Sequence, residues 1–121
     1  MKIPRLAFAL LLLAVSLSVL AAHATEPAKA SIQILKPTDH ADLDSDESYP
    51  LDYKVVLGPG DDHFHVWVDA DRSPGIHDLQ GTYMLPKMTP GQHVITLKLV
   101  DKTHVPTGPQ TSITVNVVSL K

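Results

Sequence analysis

His63 and His65 are separated by one residue inside the run His63-Phe64-His65-Val66-Trp67-Val68-Asp69. On a β-strand, residues two apart project from the same face, about 6.5–7 Å apart along the chain. Two neutral imidazoles so placed can share one ion, and imidazole suits borderline metals such as Cu(II) and Zn(II). The chain contains no cysteine, so thiolate chemistry is absent, both as nucleophile and as metal ligand. Any ion must be held by His, Met, Asp or Glu.

Other chemistry-bearing residues point less clearly to a site. His93 follows Pro90-Gly91-Gln92 at the start of an alternating run, a corner where a ring can pack while its polar tip bonds to nearby backbone. His40 and His77 fall in polar, turn-rich stretches and read as exposed loop residues. Met84 and Met88 flank Pro86; thioethers suit Cu(I), but packing is the default role of both. Asp42-Leu43-Asp44-Ser45-Asp46 begins like a calcium loop. It then places Glu47 where glycine is required and Tyr53 where the closing glutamate belongs, so the motif fails and a solvated acidic loop is the reading. No Gly-x-Ser-x-Gly elbow, His-Glu-x-x-His pair or phosphate-cradling glycine loop is present. The protein is not read as an enzyme.

The elements that must position these residues are strands. Ile32 and Ile34 alternate with polar neighbours up to Pro37, and Leu51, Tyr53 and Val55 alternate with Asp52 and Lys54. Gly58-Pro59-Gly60-Asp61 turns the chain into a third strand, His63 to Asp69. Thr82 to Leu85 is short and ends at Pro86; Ile95, Leu97 and Leu99 alternate with Thr96 and Lys98 in a strand over 93–101; Ser112 to Val118 is the last. Residues 38–48 and 103–109 read as loops, and residues 70–81 have room for a seventh strand. Short strands at regular spacing with Gly/Pro turns and no 3.6-residue apolar period predict an all-β antiparallel sandwich of about seven strands with Greek-key connections.

Composition bounds the class. Residues 1–24 read as a cleavable signal peptide: Lys2 and Arg5 precede the apolar run Leu6 to Ala22, and Ala22-His23-Ala24 fits the small-x-small cleavage rule. No cysteine follows to carry a lipid anchor, so the mature segment, residues 25–121, is expected to be periplasmic or secreted without a membrane anchor. The whole chain has a formal net charge of −3. Its leader carries two of the basic residues and no acidic one, which leaves a domain acidic enough to repel phosphate backbones and makes nucleic acid an unfavourable partner.

The stretch His63 to Asp69, then Tyr83-Met84-Leu85-Pro86, Pro90-Gly91-Gln92-His93, Ile95 to Asp101 and His104-Val105-Pro106, resembles a family of small bacterial periplasmic proteins with an immunoglobulin/fibronectin-III-like domain. The His-x-His strand, Pro-Gly-x-His corner and late His-x-Pro carry the resemblance over roughly residues 50–118. It implies strands A to G at 31–36, 49–57, 63–69, 82–85, 93–101 and 112–118, with D left unassigned. In such a sandwich the B–C and F–G loops share one end. His63 and His65 should then meet His104 there, with Asp62 as a candidate fourth ligand, while His40, His77 and His93 belong to the opposite end.

Two function classes follow. The first is a periplasmic metal-binding carrier or buffer, copper preferred and zinc next, using His63, His65, His104 and Asp62. The second is an immunoglobulin-like interaction module that binds another envelope protein through the sheet face around Trp67. A metalloenzyme is a third. The direction of the strand at 63–69 separates the first two: sandwiches of this class often bury a Trp on strand C, and an inward Trp67 would turn both histidines inward as structural groups.

Overall fold

The computed structural model describes residues 29–120, all strand, turn and loop with no helix among the described residues. The leader at 1–24 lies outside them. Eight strands form two sheets: β1 (Ser31–Lys36), β3 (Pro50–Val56) and β6 (Gln80–Met84) in the order β1-β3-β6, and β2 (Asp42–Asp44), β4 (His63–Val68), β5 (Asp71–Arg72), β7 (Gly91–Val100) and β8 (Pro106–Val118) in the order β2-β8-β7-β4-β5.

The alternation in the sequence sets which face each strand buries. Leu51, Tyr53 and Val55 from one sheet meet Phe64, Val66, Ile95, Leu97, Leu99, Ile113, Val115 and Val117 from the other. The rings of Tyr53 and Phe64 join the layers edge to face at 4.9 Å, a geometry favoured by the ring quadrupoles. Burial pushes the Tyr53 hydroxyl upward in pKa, helped by the Asp78 carboxylate. No buried side-chain nitrogen or oxygen among the described residues lacks a hydrogen-bond partner.

Three features depart from the sequence reading. The stretch 38–48 is not all loop: β2 pairs parallel with β8, Leu43 opposite Val117, so the sandwich is not wholly antiparallel. One buried leucine between two aspartates is too short a pattern to show period 2. The last strand begins at Pro106 rather than Ser112, because Val100 pairs with Pro106 across a register shift after Lys98. That shift buries the consecutive residues Leu99 and Val100, as a bulge permits.

The third departure moves a candidate residue. After β4 the chain reverses at Asp69, whose left-handed φ of 54° aspartate tolerates in turns. It then retraces β4 along its whole length. Trp67 pairs with Arg72 and Val68 with Asp71, Ser73 N donates to Val66 O at 2.8 Å, and Phe64 and Ile76 exchange backbone bonds at 2.8 and 3.2 Å. Residues 73–77 are thus a strap that returns to the start of β4 before the chain crosses to the other sheet, where Val55 N donates to Leu79 O.

Candidate metal centre

Phe64 and Val66 take the inner face of β4, so His63 and His65 point outward from the five-stranded sheet. Yet each is only 2% exposed. Neither alternative raised by the sequence holds: the histidines face neither core nor open solvent, because the strap lies over them. Gly75 is what lets it lie so close. A Cβ there would stand 2.9 Å from Cδ2 and 3.2 Å from Nε2 of His63, nearer than a side-chain carbon tolerates.

The third histidine arrives from the β7–β8 turn. Asp101 organises that turn: its Oδ1 accepts from Thr103 N at 2.8 Å, Thr103 Oγ1 at 2.7 Å and Val105 N at 3.1 Å. These bonds hold the Asp101 carboxyl below its ordinary pKa, the Thr103 hydroxyl contributing most. His104 is thereby held at φ 66°, a left-handed conformation uncommon outside glycine.

The three rings converge on a triangle of nitrogens. His63 Nε2 lies 3.2 Å from His65 Nε2 and 3.0 Å from His104 Nδ1, and His65 Nε2 lies 3.1 Å from His104 Nδ1. The opposite ring nitrogens of the β4 pair are both occupied. His63 Nδ1 sits 2.8 Å from Asp62 Oδ2 and His65 Nδ1 sits 2.8 Å from Ser73 O. Since a carboxylate and a carbonyl only accept, each Nδ1 carries a proton, and each ring turns its Nε2 into the triangle, the nitrogen that bears the lone pair in this tautomer. Burial holds the His65 pKa below its ordinary value, against the raising effect of the Ser73 carbonyl; Arg72, His63 and His104 add smaller downward pushes. Ser73 is itself fixed, its Oγ accepting from Val66 N at 2.9 Å and donating to Pro74 O at 2.8 Å.

His63, His65 and His104 therefore come together, and Asp62 stands behind His63 rather than beside it as a further arm of the triangle. His77 is a correction. Placed at the opposite end by strand topology, it lies instead with its ring 4.8 Å from that of His63, tilted by 32°, because the strap carries it back. Ser73, Gly75 and Asp101 were missed as well. Pro74-Gly75 and Asp101-x-Thr103 are turn signals, but nothing in them says what the turns hold.

The other end matches the reading of His93 as a corner residue. Its Nδ1 donates to Asp69 Oδ2 at 2.6 Å and its Nε2 to Thr89 O at 2.7 Å, so both nitrogens face acceptors and the ring is held as a cation. The Asp69 bond raises the His93 pKa most. Asp69 is correspondingly lowered, chiefly by accepting from Val94 N. His40 is exposed beside Asp39, far from the triangle. Met84 is exposed and Met88 buried.

No family model matches the chain, and no curated protein matches it. Among solved structures it is similar to the fibronectin(III)-like modules of CbhA from Clostridium thermocellum, with a TM-score of 0.62 at 14% identity over 75% of this chain and 100% of that one. The domain is an immunoglobulin-like, fibronectin-III-type sandwich. A lytic polysaccharide monooxygenase from Jonesia denitrificans aligns with a TM-score of 0.42 at 16% identity, covering 69% of this chain and 59% of that one; so partial a likeness carries no argument.

Proposed function

We propose that this is an exported domain that binds one divalent transition-metal ion, copper preferred to zinc, as a periplasmic carrier or buffer. The observation that carries the reading is the nitrogen triangle with both β4 tautomers already set. Metal–nitrogen bonds of about 2.0–2.1 Å put neighbouring donors about 3.3–3.4 Å apart in a tetrahedral site and about 2.9 Å apart at right angles. The 3.0–3.2 Å edges fall between these limits. Three imidazoles on one side leave at least one position open to water or to a receiving partner.

The outer partners support the same reading. A carboxylate behind one ligating histidine and a backbone carbonyl behind the next are the usual means of fixing ring orientation and raising donor strength. The affinity order of divalent ions at nitrogen sites places copper above zinc. A cleft of about 390 Å³ at this end, lined by Asp61, Asp62 and Asp101 among others, adds negative potential that raises local cation concentration.

Calorimetric titration of Cu(II) and Zn(II) into the purified protein tests this. One ion should bind per chain, more tightly for copper. His65→Ala should weaken binding by more than Asp62→Asn, which should cost about 10–100-fold as an outer-shell loss. Affinity should fall as pH drops below the ~6.5 of free histidine, since ligation needs neutral imidazole. A wild-type protein that binds nothing tighter than millimolar rejects the reading in favour of the interaction module.

A further inference from the structure

The triangle has a problem of access. His63 and His65 are buried beneath the strap, and Gly75 leaves no gap over the His63 ring. An ion must reach nitrogens that water barely touches. Of the imidazoles at this end, among the described residues, only His104 and His77 are exposed. His104 already has its Nδ1 in the triangle. His77 has no part in it, yet its ring lies against the His63 ring at 4.8 Å, and ligand atoms of Asp62, His63 and His77 lie within 4.8 Å of one another.

We propose that Asp62, His63 and His77 form an outer metal station through which ions load into, and leave, the buried triangle. The inference rests on the metal-binding reading above. His77 is the first protein group to replace water on the incoming ion, and Asp62 supplies an oxygen beside it. The ion then exchanges ligands at constant oxidation state. Its bonds to His77 nitrogen and Asp62 oxygen break as bonds to His65 and His104 nitrogens form, while the bond to His63 Nε2 is kept throughout and the proton stays on Nδ1. The released carboxylate returns to the His63 Nδ1–H. Because His63 belongs to both sets, the ion need not be set free in between, and because His77 sits on the strap that covers the triangle, the same residue serves the way out.

The station makes a kinetic claim that a resident fourth ligand would not share. A group that touches the ion only in transit changes loading and release together and leaves the equilibrium nearly untouched. Trp67, the single tryptophan, is two residues from His65 on the same face of β4 and so about 7 Å along the strand. Its quenching reports Cu(II) arrival. Stopped-flow mixing of the protein with Cu(II) gives the on-rate, and mixing the loaded protein with excess EDTA gives the off-rate. In His77→Ala and in His77→Gln both rates should fall about tenfold, the effect of a barrier higher by about 1.4 kcal/mol, while the dissociation constant stays within about threefold of wild type. His40→Ala, at the exposed histidine away from the site, should match wild type in both rates. Wild-type rates in both His77 variants overturn the station. So does a large loss of affinity with the on-rate unchanged, which makes His77 a resident ligand. A wild-type protein that shows no Cu(II) binding removes the metal reading itself, a separate result.

Discussion

A single position without a Cβ decides whether His63 can be covered. The strap passes over its ring at Gly75, where a Cβ would fall 2.9 Å from a ring carbon. The ring cannot retreat, since its Nδ1 is bound to Asp62 and its Nε2 faces His65 and His104. Gly75→Ala must therefore lift the strap and stretch the Ser73 carbonyl away from His65. The expected cost is about 1–3 kcal/mol, typical of overpacking a well-filled site. It should appear as a lower urea midpoint with an unchanged slope. Equal midpoints for variant and wild type would mean that the strap is not seated as described.

At the scale of elements, two loops are fastened by histidines in opposite protonation states. His65, buried and neutral, ties the strap to β4; His93, cationic, ties the 89–93 corner to the β4–β5 reversal through Asp69. Their pH signatures differ in sign. The His93 pKa is raised, so its contribution is fully present below about 6.5 and is lost as pH rises through the raised value. The His65 pKa is lowered, so in metal-free protein its contribution is present above about 6.5 and is lost as pH falls through 6.5 toward the lowered value. Asp69 is half exposed in this pair, which limits the His93 contribution to below about 1 kcal/mol. The difference in stability between wild type and His93→Gln, followed by urea unfolding from about pH 5.5 to about 8.5, should shrink as pH rises. A difference that grows with pH would reject the cationic assignment.

For the molecule as a whole, two sheets close around side chains that exclude water almost completely; Leu51, Phe64, Ile95, Leu97, Leu99 and Val115 are all 0% exposed. Without disulfides, packing alone opposes unfolding. A metal ion at the β3–β4 and β7–β8 end would add linkage: it pins β4, the strap and the His104 turn, which separate on unfolding. Free ion at 100 times its dissociation constant stabilises by about 2.7 kcal/mol, which for a domain of this size raises Tm by roughly 10 °C or more. Differential scanning fluorimetry with Cu(II) or Zn(II), then with EDTA added, should show the rise and its reversal. An unmoved Tm would leave the triangle without an ion of consequence.

The two sheets were legible in the chain because alternation is a local property. Leu51-Tyr53-Val55 and Ile95-Leu97-Leu99 state their buried faces by period, and Gly/Pro turns mark where strands stop. Even the meeting of His63, His65 and His104 followed from the strand order that the resemblance implies, since neighbouring antiparallel strands put the start of one beside the end of the other. What only the tertiary structure decided is the surroundings of that meeting. The retracing of β4 by residues 71–77 rests on backbone bonds, such as those between Phe64 and Ile76, that any sequence can make, and a two-residue strand leaves no period to detect. It moved His77 across the molecule, buried two histidines that alternation alone would leave on an outer face, and supplied the Ser73 carbonyl that sets the tautomer of His65. Residue type, spacing and the resemblance named the candidate residues; their desolvation, protonation and access come from long-range contacts, which have no local signature.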